Sequence, residues 1–213
     1  MQKYFDSLIA RYPALAGTRP AVERLATELV SLFRRGGTFF VAGNGGSGAD
    51  SDHICGELLK GFMQKRPLPE ADKAKFAELF GAEGNDFAGK LQGGLRAISL
   101  LSHPGFTTAF MNDVDADLIY AQQLWALAKK GDVFLGISTG GGSKNVRAAL
   151  MAAKVIGVKS FLLTGNKHGV CEKYADHVIA VDESETYLIQ ELHLPLYHAF
   201  CTAVEAEMFP EGI

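Results

Sequence analysis

Residues 38–60 read TFFVAGNGGSGADSDHICGELLK, and they decide the fold. Thr38–Ala42 is a short β-branched and aromatic run, the pattern of a buried strand. Gly43-Asn44-Gly45-Gly46-Ser47-Gly48 follows, and a helix is predicted from about Ser47 to Lys60. Strand, glycine loop and helix make up most of one βα unit, and the unit recurs along the chain. Upstream, PAVERLATELVSLFRR at 20–35 places Val22, Leu25, Ala26, Leu29, Val30 and Phe33 at helical spacing, with Pro20 in the first turn. Downstream, strands are predicted at Ala97–Leu101, Val133–Ile137, Ser160–Leu163 and His177–Val181. Helices are predicted at Asp113–Lys129, Ser143–Ile156 (with Ser143 as N-cap), Lys167–Tyr174 and about Ser184–Met208. Five strands alternating with helices predict an α/β fold, a three-layer sandwich with a five-stranded parallel sheet covered on both faces.

The chain has 213 residues, enough for one domain. It is 47% hydrophobic and 21% charged, with mean hydropathy near zero, which excludes a disordered chain. No apolar run approaches the ~18 residues of a membrane span. A net charge of −3 offers no basic excess for nucleic acid. The three cysteines, Cys55, Cys171 and Cys201, have no paired spacing and read as buried small hydrophobes. With no leader pattern at the N-terminus, they point to a cytoplasmic protein. Glycine is the outlier: 24 of 213 residues, about 11% against a usual ~7%. Seven of the 24 lie in two loops, and five more (Gly81, Gly84, Gly89, Gly93 and Gly94) lie in a charged segment at about 64–95. That segment reads as an insertion holding a short helix and acting as a mobile flap.

In an open parallel sheet, ligands bind beyond the carboxyl ends of the strands. Both glycine loops fall there: Gly43–Gly48, and Ser138-Thr139-Gly140-Gly141-Gly142-Ser143. Glycines let backbone N–H groups face an anion, and the helix that follows adds its unpaired donors and dipole. Ser47, Ser138, Thr139 and Ser143 add hydroxyls. Two tight turns are the plain alternative; the repetition favours a phosphate-bearing ligand. Gly43, Gly45 and Gly48 match G-x-G-x-x-G, but no strand ending in an acidic residue follows about 20 residues on, so a nucleotide cofactor is not expected. No Gly-Lys-Ser/Thr follows either, which excludes a Walker loop.

Ionisable residues cluster after the first loop and near the C-terminus. His53 and Glu57 are four apart and share a helix face. Gln190, His193 and His198 lie on the last helix, with Gln190 and His198 about 80° apart on the wheel. A carboxylate and imidazoles beside a phosphate loop suit proton transfer. The same N and O donors suit a divalent metal such as zinc. A surface His–Glu pair is the plain reading of His53 and Glu57. His103 before Pro104-Gly105 reads as a turn, His168 and His177 as surface or satisfied histidines, and Trp125 as core.

AGNGGSGADSDHICGELLKGF, GDVFLGISTGGGSKNV, NDVDADL and IQELHLPLYHAF together resemble the SIS (sugar isomerase) domain, and most closely its phosphoheptose isomerases. The resemblance covers the chain except for about 64–95 and implies a single SIS domain with a flavodoxin-like sheet over 1–213. It implies an aldose–ketose isomerase acting on a phosphorylated sugar such as sedoheptulose 7-phosphate, through an enediol(ate). The alternative within the family is a non-catalytic phosphosugar-binding oligomer that regulates or binds proteins. The resemblance assigns Glu57 as general base and His198 as general acid. It assigns His53, Glu57, Gln190 and His198 as zinc ligands in some members. Asn44, Gly45, Gly46, Ser47, Asp113, Ser138, Thr139, Ser143 and Gln190 fall on substrate-side positions. It also implies a homotetramer with sites between subunits. The chain departs from the family pattern at Gly140-Gly141-Gly142, which replace a serine-glycine-asparagine run, and at Tyr187, where an acidic residue is usual. Pro195, inside the last helix, predicts a kink between Gln190 and His198.

Overall fold

Strand β1 (Phe39–Gly43) is buried along its whole length, and its side chains alternate between two cores. Phe39 and Val41 enter one apolar cluster; Phe40 and Ala42 enter the other. β3 (Val133–Ile137) and β4 (Lys159–Thr164) alternate in the same way. Period-two alternation with both faces buried is what a parallel sheet between two helical layers requires. The computed structural model describes residues 1–167 and 169–210. His168 therefore lies outside the described residues.

β2 (Ala97–Ser99), β1, β3, β4 and β5 (His177–Ala180) form one parallel sheet in the order β2-β1-β3-β4-β5. The first face is covered by α1 (Gln2–Arg11), α2 (Arg19–Arg34), α3 (Gly46–Leu59) and α8 (Thr186–Met208). The second is covered by α6 (Ile119–Leu127) and α7 (Lys144–Ile156). The predicted α/β sandwich of five parallel strands is the observed fold. No helix among the described residues is long and apolar enough to cross a membrane.

Several expectations are corrected. The helix predicted over 113–129 is shorter and starts later, as α6 (Ile119–Leu127). Pro104 occupies the first turn of α5 (Pro104–Asp113), so the His103-Pro104-Gly105 turn opens a helix instead of merely reversing the chain. A short 3-10 turn at Ala116–Leu118 separates α5 from α6. Trp125 is 62% exposed, not core, because Tyr120 and Leu124 hold the inward face of α6. Ser143 sits at the N-cap of α7 but makes no capping bond; its hydroxyl pairs with Ser138. The short helix expected from Lys167 begins at Val170. α8 begins at Thr186, two residues later than expected, and holds Pro195 in its interior.

The charged segment at about 64–95 is built as a helical hairpin. α4 (Glu70–Lys90) breaks at Gly81, whose φ of +59° and ψ of −134° are outside the helical region. The rings of Phe76 and Phe87 lie 5.8 Å apart, so the second half folds back on the first. An antiparallel bridge between Pro67 and Gln92 closes the base. Leu79, Phe80 and Phe87 remain exposed.

At that base sits a feature the sequence pattern did not reveal. The side chains of Arg66 and Glu205 are fully buried and paired at 2.8 Å. Arg66 also donates to the carbonyls of Leu58 (2.8 Å) and Glu57 (3.1 Å), so it satisfies the C-terminal end of α3. Glu205 accepts from the backbone N–H groups of Phe62 and Met63, each at 2.8 Å. The guanidinium stacks over Phe209, 4.7 Å from the ring centroid. Removing one partner strands a buried charge. Arg66→Met is expected to lower unfolding free energy by about 3–5 kcal/mol in urea denaturation. A loss under about 1 kcal/mol, typical of an exposed pair, would refute the burial argument.

Candidate active site

The strand order sets the site. β1 and β3 are neighbours, but their connections leave toward opposite edges, which makes the gap between their carboxyl ends the switch point of the sheet. Both glycine loops open there. Gly45 takes φ +55°, a left-handed conformation that directs the chain from β1 into α3. A side-chain carbon on Gly46 would lie 2.5 Å from the Gln190 amide nitrogen, so Gln190 of α8 rests directly on the first loop.

Side chains tie the loops together. Asn44 and Asn145 exchange two hydrogen bonds of 2.9 Å. The Tyr120 hydroxyl donates to the Gly43 carbonyl at 2.6 Å. Within the second loop Ser138 and Ser143 pair their hydroxyls at 2.9 Å, and the Thr139 carbonyl accepts from the Gly165 N–H at 2.9 Å. Ser47 is buried at the start of α3. Asn44, Gly45, Gly46, Ser47, Ser138, Thr139, Ser143 and Gln190 thus lie on or against the two loops. Asp113 does not join them in this chain. It is exposed at the end of α5, where it accepts from Asn112 at 2.8 Å.

A second cluster lies further along α3. His53 Nε2 stands 3.2 Å from Glu57 Oε1. The His198 ring lies 5.2 Å from that of His53, centroid to centroid, and nearly perpendicular to it. Glu57 Oε2 and His198 Nε2 are both buried without a hydrogen-bond partner; the Lys60 ammonium is 3.8 Å from Glu57 Oε2, an ion-pair contact only. Burial pushes the His198 pKa down, and the neighbouring His53 adds to that shift, while Glu57 opposes it. The ring is therefore held toward its neutral form. His198 also lines a cavity of about 490 Å³ between α1 and α8, walled by Tyr4, Arg11, Tyr12, Phe62 and Met63.

His53, Glu57 and His198 gather, and Gln190 lies nearer the glycine loop. Among the described residues no group of three or more His, Cys, Asp or Glu is placed to hold a metal ion. Asn145, Tyr120, Asp50 and Tyr197 carry site contacts that the sequence reading missed. Asn145 and Tyr197 lay inside quoted motifs, but no spacing rule marks an asparagine that pairs across two loops. The cysteines are buried, as expected, and burial raises the Cys55 thiol pKa to about 12.

A five-stranded parallel sheet with two glycine loops opening at its switch point is the architecture expected of a SIS-type domain. The SIS domain family model matches residues 107–206. The phosphoheptose isomerase of Pelobacter propionicus is 35% identical over 191 residues, covering 89% of this chain and 87% of that one. The structure of a phosphoheptose isomerase from Francisella tularensis matches with TM-score 0.75 and 27% identity, over 95% of each chain. That of Neisseria gonorrhoeae matches with TM-score 0.71 and 26% identity, over 96% of each. The chain belongs to the phosphoheptose isomerase family.

His193 lies one turn from Gln190 but faces inward. It is fully buried, its Nε2 is 3.4 Å from the Thr164 carbonyl, and its Nδ1 has no partner. Burial pushes its pKa down to about 4. The unfolded chain, with an ordinary value near ~6.5, binds a proton that the folded chain excludes. Stability is thus lost as pH falls from about 6.5 toward 4. His193→Gln is expected to flatten that part of the stability–pH curve in denaturant titrations. A slope equal to that of the wild type would assign the acid loss to other groups.

Proposed function

We propose that the chain interconverts an aldose and a ketose phosphate, with sedoheptulose 7-phosphate as the leading substrate. The observation that carries the reading is the pair of unsatisfied buried atoms, Glu57 Oε2 and His198 Nε2, on neighbouring helices. A buried acceptor without a partner costs stability unless a ligand or function uses it. The phosphate would bind at the glycine loops, where backbone N–H groups, Ser47, Ser138 and Ser143 supply donors; that remote binding energy positions the sugar. Glu57 Oε2 would remove the proton on the carbon beside the carbonyl. The C–H electron pair forms the enediol(ate) double bond, and the carbonyl pair moves onto oxygen. Glu57 then returns the proton to the adjacent carbon. His198, held toward neutrality, would carry protons between the two oxygens.

Zinc or a similar divalent ion is part of the proposal. His53 Nε2, His198 Nε2 and the Glu57 carboxylate, drawn closer together than they stand here, would hold it, with Gln190, which rests on the first loop, supplied by another copy; it would act as a Lewis acid on the sugar oxygens, and Glu57 would serve as base only when not bound to it. We also propose a cytoplasmic homotetramer with sites completed between copies. Glu57 lies 11 residues into α3 beyond Gly46, roughly 16 Å along the helix at 1.5 Å per residue. That separation exceeds the reach of one sugar phosphate along a single chain. It supports pairing one copy's loops with another copy's Glu57 and His198.

The test is incubation with C6 and C7 aldose and ketose phosphates, with and without zinc, followed by NMR in deuterated water. Conversion with solvent exchange at the reacting carbon is expected. Binding without any exchange or conversion would overturn the isomerase reading. Glu57→Gln is expected to lower kcat by about 10²–10⁴ while binding persists. Mixed oligomers of Glu57→Gln and a phosphate-loop variant, Ser138→Ala with Ser143→Ala, are expected to regain activity that neither has alone. No recovery after verified subunit exchange would refute a site shared between copies.

A further inference from the structure

Tyr197 is 1% exposed, and its hydroxyl reaches from α8 to two side chains of α3. Asp50 Oδ1 is 3.2 Å away and His53 Nδ1 is 2.9 Å away. One hydroxyl carries one proton. A carboxylate only accepts, so the proton goes to Asp50 and the tyrosine oxygen is left to accept from His53 Nδ1–H. The imidazole is then fixed as its Nδ1–H tautomer, and Nε2, 3.2 Å from Glu57 Oε1 but making no hydrogen bond to it, keeps a free lone pair.

We infer that Tyr197 is a positioning residue that locks His53 in the Nδ1–H tautomer and keeps its Nε2 lone pair free beside Glu57. The freed Nε2 has two consequences. It does not donate to Glu57, and a hydrogen bond to the ionised carboxylate would weaken that group as a base. It also offers an electron pair, next to a carboxylate oxygen, to a substrate hydroxyl or a divalent cation. A histidine that binds a metal through one nitrogen commonly donates from the other. Here the acceptor is a buried tyrosine braced by Asp50. The kinetic consequence rests on the proposed role of Glu57; the tautomer does not.

The test is ¹⁵N–¹H multiple-bond NMR of the full chain labelled at histidine. The pH is set near ~8.5, about two units above an ordinary imidazole pKa, so that neutral tautomers are read. His53 is assigned by its loss in His53→Gln. Wild-type His53 is expected to carry hydrogen on Nδ1 and none on Nε2. In Tyr197→Phe the ring loses its acceptor, and the tautomer is expected to flip to Nε2–H, donating to Glu57. Asp50→Ala frees the tyrosine proton to turn toward Nδ1 and is expected to give the same flip; it serves if Tyr197→Phe does not fold. Nε2–H in the wild type, or Nδ1–H retained in the variants, overturns the inference. Tyr197→Phe is further expected to lower kcat at least about tenfold, or ~1.4 kcal/mol of barrier, with KM nearly unchanged. A flipped tautomer with wild-type kcat overturns the positioning role. A wild type that converts no sugar phosphate sinks the isomerase reading and leaves the tautomer result standing.

Discussion

The buried Arg66–Glu205 pair is the constraint on which the site depends. α3 carries His53 and Glu57; α8 carries Gln190, Tyr197 and His198. Arg66 holds the last carbonyls of α3, and Glu205 projects from α8, so one ion pair fixes the two helices against each other. Burying two charges is expensive, and the mutual attraction alone rarely compensates. Here the carboxylate also receives two backbone N–H groups and the guanidinium two carbonyls, so both charges are satisfied. These directional bonds tie the end of α3 to α8, the two helices that place His53 Nε2 3.2 Å from Glu57 Oε1 and the His198 ring beside them.

The same pair anchors the base of the helical hairpin. The hairpin over Glu70–Lys90 is closed at its base by the bridge from Pro67 to Gln92, next to Arg66. The Arg66 carbonyl accepts from the Gly93 N–H at 2.7 Å. Strain or motion in the hairpin therefore meets an anchored base before it reaches α3. Its glycines serve geometry as well: Gly81 makes the break, and Gly84 lets the returning half pass against the Phe76 carbonyl.

The two glycine loops show a division of labour between backbone and side chains. The triple glycine at 140–142 carries no side-chain donor, and the Gly141 N–H donates to the Ser138 carbonyl at 3.0 Å. The hydroxyls come from Ser138 and Ser143, which already pair with each other. Asn44 and Asn145 hold the two loops together across the switch point. The loops are therefore braced before any ligand arrives, which reduces the ordering cost of binding.

The sequence by itself determined the fold class and the address of the site. Short apolar runs at Phe39–Ala42 and Val133–Ile137, helical periods between them and glycine loops after two strands are local signals, readable because period and turn chemistry act over a few residues. The pairing of His53 with Glu57 was legible for the same reason, as an i, i+4 spacing. Only the tertiary structure decided the strand order that sets β1 beside β3, and with it the convergence of the two loops. It alone showed that Trp125 faces outward, because which face of an apolar helix is buried depends on what packs against it. It alone brought Tyr197 to His53 and Arg66 to Glu205, pairs more than 130 residues apart. Contacts at that range leave no periodicity in the sequence, because they are set by how whole helices dock.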